Sequence, residues 1–132
     1  MTVPIAEQLA AALQSRDADR LAALFTDDYD SVQPAHPDRA FRGREQVRTN
    51  WGAIFAGVPD FTAELLRAAQ DGDTVWTEWA WHGNQSTGDR LEMVGVLVLG
   101  LREGLIGWAR LYVEDVDMGA GIDAAGQHLA GS

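Results

Sequence analysis

The sequence predicts an α+β domain, with helices from its first half packed on an antiparallel sheet from its second. Three observations predict it. Apolar residues recur at helical spacing near Ile5–Leu13 and again over Val47–Phe55. From about residue 61 the spacing changes to alternation in long runs. Those runs are separated by "DGD", "NQSTGDR" and "EG", which favour turns. A chain of 132 residues makes one domain of ordinary size. We place it at 1–117 and read 118–132 as a Gly/Ala-rich C-terminal tail, with a short helix over "DAAGQHLA".

The elements follow in order. Thr2 is positioned to cap a first helix with Pro4 in its opening turn, and Ile5, Leu9, Ala12 and Leu13 give it one apolar face. Asp17 caps a second helix, "DADRLAALF", in which Leu21, Leu24 and Phe25 share a face, and "TDDYD" ends it. Tyr29, Ser31 and Gln33 then alternate with Asp30 and Val32, predicting a strand stopped by Pro34. "AHPDR" is a loop, because Pro37 restrains His36 to an extended conformation. Gly43 precedes a third helix, "REQVRTNWGAIFAG", whose Val47, Trp51, Ile54 and Phe55 form a stripe. "FTAELLRAAQ" reads as a strand leading through "DGD" into "TVWTEWAWHG". "LEMVGVLVLGLR" and "LIGWARLYVEDV" complete a meander of three long antiparallel strands.

Alternation also assigns faces. Val75, Thr77, Trp79 and Trp81 share one side of their strand, and Ala109, Leu111 and Val113 one side of the last. These sets are apolar apart from Thr77 and belong under the helices. Trp76, Glu78, Ala80 and His82 face outward, as do Trp108, Arg110, Tyr112 and Glu114, with Glu78 and Arg110 expected to form a cross-strand ion pair. The middle strand is apolar on both sides, Met93, Gly95, Leu97, Leu99 and Leu101 inside and Val94, Val96 and Val98 outside. An outer surface carrying those valines with Trp76, Trp108 and Tyr112 is too apolar to leave wet. It predicts a homodimer packed sheet to sheet, or else the tail folded over that face.

Composition narrows the function. The net charge is −10 and all ten basic residues are arginine, which disfavours nucleic acid as a partner. Absence of lysine with abundant Ala, Gly and Arg suggests a GC-rich bacterial genome. There is no cysteine, hence no disulfide and no thiolate chemistry. No stretch reaches the roughly 18 apolar residues of a membrane span. The N-terminus lacks the pattern of a signal peptide. A cytoplasmic protein without membrane contact is expected. Asp27, Asp28 and Asp30 form a solvated helix end rather than a metal site, since no histidine is spaced to complete it. The tail glycines do not follow a strand into a dinucleotide fingerprint. No cofactor and no metal are implied.

In order and spacing, "LAALFTDDY", "FRGREQVR…W…IFAGVPDF", "DGDTVWTEW" and "EGLIGWARLYVED" resemble the SnoaL-like branch of the nuclear-transport-factor-2-like superfamily, over roughly residues 5–117. The resemblance implies a cone-shaped α+β barrel, a curved mixed sheet wrapped around helices with a deep pocket between. Its members include polyketide cyclases, limonene-epoxide hydrolases, ketosteroid isomerases and scytalone dehydratases. Carried over residue by residue, the epoxide hydrolases' arginine falls on Trp79 and their aspartates on Trp81 and Leu111. The cyclases' acid/base aspartate falls on Leu111. The water-holding tyrosine and asparagine fall on Ser31 and Gln33. The isomerases' base falls on Gln33 and their oxyanion-hole acid near Leu97. Proton abstraction needs a group whose pKa can be tuned toward neutrality, and Trp, Leu, Ser and Gln have none. The departure argues against those mechanisms, unless a one-residue slip turned Glu78, His82, Arg110 and Glu114 inward.

The expected site is therefore an apolar cavity for a flat hydrophobic molecule, polyketide-, steroid- or terpenoid-like. Its candidate lining is Tyr29, Ser31, Gln33, Trp51, Phe55, Thr77, Trp79, Trp81, Met93, Leu97 and Leu111. Stacking on tryptophan favours an aromatic ligand. His36 and Asp38, at the pocket mouth, are the catalytic candidates as an acid/base pair. The plainer reading of them is a solvated loop between two prolines. A binding protein, an isomerase, cyclase or hydratase using unusual groups, and an interaction module with a filled cavity all fit the sequence. The volume of the cavity and the groups that face into it separate them.

Overall fold

A computed structural model of the chain describes residues 2–119, 121, 122 and 126. Helix α1 spans Pro4–Ser15 and α2 spans Ala18–Ala22. Strand β1 (Phe25–Val32) is followed by a 3₁₀ turn at Pro37–Arg39 and a short strand β2 (Phe41–Arg42). Helix α3 covers Arg44–Gly57. Strands β3 (Thr62–Asp71), β4 (Thr74–Asn84), β5 (Arg90–Arg102) and β6 (Leu105–Asp115) follow. The helix expected over "DAAGQHLA" lies, apart from Gly126, outside the described residues, so a tail folded over the sheet is not addressed by them.

The six strands form one curved sheet in the order β2-β1-β6-β5-β4-β3. The meander has four long strands, because β3 pairs with β4 over nearly its whole length. β1 runs parallel to β6, and the other pairings are antiparallel. The helices cover the inner face, and the core lies between them and the sheet. No described helix is long and apolar enough to cross a membrane.

Three local expectations change. The first helix is capped by neither Thr2 nor any other side chain; its N-cap is Val3, which is buried in the core. Burial there outweighs a capping bond of about 1 kcal/mol. The second helix does begin at its Asp17 cap, whose carboxylate accepts from the amides of Asp19 (3.0 Å) and Arg20 (3.2 Å). It stops at Ala22, however, and Phe25 opens β1. The amide of Ile106 donates to the carbonyl of Leu24 (2.8 Å), drawing this segment alongside β6. Tertiary pairing there overrides local helix propensity.

The third concerns ion pairs. Glu78 bonds Arg67 of β3 (2.7 Å), and Arg110 lies 3.6 Å from Asp30 of β1, so the two expected partners do not meet. The register explains it. Glu78 opposes Val96, which opposes Tyr112, so β5 separates the strands that carry the two charges. Arg110 instead stacks over the Trp108 ring at 5.2 Å.

The faces follow alternation. Val75, Thr77, Trp79 and Trp81 are buried on the inner side, with Ala109 and Val113 opposite on β6. Trp76, Val94 and Tyr112 are 43%, 48% and 48% exposed on the outer side. The one-residue slip is not realised: Glu78, His82 and Arg110 all pair on the outer face, with Arg67, Glu64 and Asp30.

Candidate functional site

Between α3 and the inner face of the sheet lies a cavity of about 520 Å³. That is within the range of about 300–1,000 Å³ usual for small-molecule sites. Tyr29, Ser31 and Gln33 supply one wall from β1 and the residue after it. Trp51 contributes from α3, and Trp81, Met93 and Leu111 from β4, β5 and β6. Seven of the sequence-predicted residues thus meet around one space. The exposed Arg39 and Ala53 also line it, so it opens to solvent beside the 3₁₀ turn.

Backbone geometry sets these directions. Strand alternation alone would also put Asp27 inside with Phe25, Tyr29 and Ser31. The register of β1 on β6 shifts between Phe25 and Asp30, and this irregularity lets Asp27 and Asp28 stay exposed. Asp27 pairs with Arg44 at 2.9 Å, while Tyr29 and Ser31 remain buried. Phe25 packs edge-on against Tyr29, with ring centroids 4.6 Å apart. Trp51 meets Trp81 at 5.4 Å and 82°, and the two form an aromatic corner of the cavity with Phe61.

Four predicted residues stand elsewhere. Thr77 and Trp79 are buried away from the cavity in a hydrogen-bonded relay: the Trp79 indole donates to Thr77 Oγ1 (2.6 Å), whose hydroxyl donates to the Leu97 carbonyl (2.9 Å). Their spare bonding capacity goes to the sheet itself. Leu97 borders a separate void of about 40 Å³, enough for little more than a water. Phe55 packs behind Trp51, with ring centroids 5.6 Å apart. It also meets Phe61 at 5.8 Å, while its neighbour Ile54 lines the cavity.

His36 and Asp38, the candidate acid/base residues, are not bonded to each other among the described contacts. His36 Nε2 bonds Glu114 Oε1 at 2.7 Å, and neither His36 nor Asp38 lines the cavity. The reason is long-range: β1 runs beside β6, which brings the end of β6 to this loop. The bond ties the mouth loop to the sheet.

Sequence reasoning missed Arg39, Asn50 and Gln85, which also line the cavity. Arg39 follows His36 by three positions in the loop already assigned to the mouth, and Asn50 precedes Trp51 on α3; both signals were present. Gln85 was not findable, since the loop's path depends on two contacts. Asp60 accepts from the Asn84 amide (2.7 Å) and Asn84 Nδ2 (2.9 Å), and Ser86 N bonds the Gly57 carbonyl (2.8 Å). Those Asn84 bonds hold the Asp60 carboxyl below its usual range.

The described lining includes no Asp, Glu or His. Burial pushes the Tyr29 phenol up to about 12, with the nearby Asp30 charge adding to the rise against the Ser31 bond and Arg110. Near neutral pH it is a hydrogen-bond donor, not a base. The Trp81 Nε1–H is buried without a hydrogen-bond partner among the described residues. The arrangement can hold and orient an apolar molecule bearing acceptor oxygens.

Comparison with known proteins agrees with this architecture. An LEH-like epoxide hydrolase of Mycobacterium tuberculosis superposes with a TM-score of 0.72 at 23% identity, over 85% of this chain and 81% of that one. A protein of ketosteroid isomerase-like fold from Catenulispora acidiphila, in complex with trimethylamine, gives 0.70 at 23%, over 89% and 87%. A Mycobacterium tuberculosis protein in complex with estradiol-17β-hemisuccinate gives 0.70 at 19%, over 83% and 90%. These identities show a shared fold. No curated protein matches the chain. The SnoaL-like domain family matches residues 6–116, and the chain belongs to that family.

Proposed function

We propose that residues 1–117 form a cytoplasmic binding domain that takes a small hydrophobic molecule, polyketide-, steroid- or terpenoid-like, into this cavity. It does so without the catalytic carboxylates of its better-known relatives. One observation carries the reading: an open space of about 520 Å³ walled by aromatic and aliphatic side chains, with no Asp, Glu or His among its described lining. The mycobacterial fold relative in complex with estradiol-17β-hemisuccinate supports it as an analogy of fold. Trp51 and Trp81 on the wall make the test direct. Titration with steroids, aromatic polyketides and terpenoids should shift tryptophan emission saturably, with Kd in the micromolar range of about −8 kcal/mol. A flat response across the whole panel would remove the open-pocket reading.

An enzyme of the isomerase, cyclase or hydratase type is the second reading. The buried hydroxyls of Tyr29 and Ser31 on the cavity wall favour it, since they could orient a polar substituent. Turnover that disappears in Tyr29→Phe while binding persists would select this reading over the first.

We further propose a homodimer through the outer sheet face. Trp76, Val94 and Tyr112 are substantially exposed there, and Val96, Val98 and Trp108 are partly so. Light scattering after size exclusion should give twice the 14.3 kDa chain mass. Val96→Glu, at the centre of this face, should give a monomer. A wild-type monomer at micromolar concentration eliminates the dimer.

A further inference from the structure

We propose that the cavity's ligand carries an oxyanion, a carboxylate or sulfonate, which Arg39 and Gln33 hold at the mouth while the apolar body enters. This inference rests on the cavity-binding reading and specifies its ligand.

Charge is inverted at this site. The chain has twenty acidic residues and ten arginines, yet the described lining holds Arg39 and no carboxylate. Seven arginines, Arg42, Arg44, Arg48, Arg67, Arg90, Arg102 and Arg110, are ion-paired. Arg39 has no carboxylate partner among the described residues; its side chain reaches Gln33 Oε1 (3.2 Å) instead. Asp38 adjoins it along the chain, and Glu114, which reaches this loop, is engaged by His36.

Hydrogen-bond capacity points the same way. A guanidinium only donates, and Gln33 already gives one of its oxygen's two lone pairs to Arg39, so donors predominate in what the two residues have left. Asn50 likewise accepts from Gln46 through its Oδ1 (2.7 Å), and its Nδ2 hydrogens add to those donors. The Trp81 N–H is a further donor in the wall, without a partner among the described residues. A site rich in spare donors, with a cation at its rim, matches an acceptor-only group.

The mount is held in place. His36 N bonds the Gln33 carbonyl (2.8 Å) and Arg39 N bonds the His36 carbonyl (2.9 Å), so consecutive turns carry Arg39. The His36–Glu114 bond then anchors this loop to β6.

Two fluorescent probes differ only in the anion. 8-Anilino-1-naphthalenesulfonate carries a sulfonate, and N-phenyl-1-naphthylamine is the same molecule without it. Wild type should bind the sulfonate about tenfold more tightly, a preference that shrinks with added salt. Arg39→Gln should abolish the preference, so that the sulfonate probe binds no more tightly than the neutral one. Ala53→Trp, filling the mouth from α3, should abolish binding of both probes with the circular dichroism spectrum unchanged. 2-Naphthoate should displace the sulfonate probe better than 2-naphthamide does, extending the result to carboxylates. Equal affinities in wild type, or a preference that survives in Arg39→Gln, overturn the anion while the cavity reading stands. Sulfonate binding that persists in Ala53→Trp overturns its placement in the cavity. If neither probe binds wild type, both inferences fall together.

Discussion

Gly95→Ala is expected to cost about 4 kcal/mol or more, enough to unfold much of a domain of ordinary stability. Gly95 lies within β5, opposite Trp79 on one side and Val113 on the other. Its φ of 154° is unusual for any residue with a side chain. A Cβ there would fall onto the Tyr112 carbonyl oxygen and within 2.6 Å of Val113 Cα. Both are backbone atoms of a paired strand, so no rotamer change relieves the clash. Gly100 is the control. A Cβ there would meet the Trp108 indole, a half-buried side chain on the outer face rather than backbone. Gly100→Ala should cost only about 1–2 kcal/mol. Urea unfolding of the two variants checks the order. Equal midpoints would show that β5 and β6 can separate at Gly95, contrary to the close approach seen here.

Trp79→Ala should cost about 3–5 kcal/mol, because Trp79 is the largest fully buried side chain. Removing it leaves a void on the inner face and strands the Thr77 hydroxyl without its donor. Thr77→Val keeps the shape but orphans the Trp79 N–H, which should cost about 1–3 kcal/mol. The two effects should not add, since both break one relay. Urea unfolding of the single and double variants measures this. The same variants test the site. Thr77 and Trp79 stand away from the cavity, so Thr77→Val should leave ligand affinity unchanged. A stable Thr77→Val protein with altered affinity would return Thr77 to the pocket.

Much of the fold was legible. The strand expected over "TVWTEWAWHG" is observed as Thr74–Asn84, and that over "LIGWARLYVEDV" as Leu105–Asp115. Alternation is a local property, and a buried inner face punishes any slip by exposing every apolar side chain. That is why Trp81 and Leu111 could be assigned inward without coordinates, and with them part of the cavity wall. The site was less legible. Thr77, Trp79 and Trp81 share one face, but only Trp81 reaches the open space. Facing the core and facing a cavity look identical in a sequence, because both demand burial.

The sequence by itself determined the element order, the strand faces and the aromatic and aliphatic character of the interior, since each depends on neighbours a few positions away. The tertiary structure decided which elements became neighbours. It took Phe25 from the second helix into β1, gave His36 to Glu114 rather than Asp38, and put Arg39 at the cavity mouth beside Gln33. His36 and Glu114 are 78 positions apart. Their meeting follows from the parallel pairing of β1 with β6, a choice made by the packing of the whole sheet and written in no local pattern.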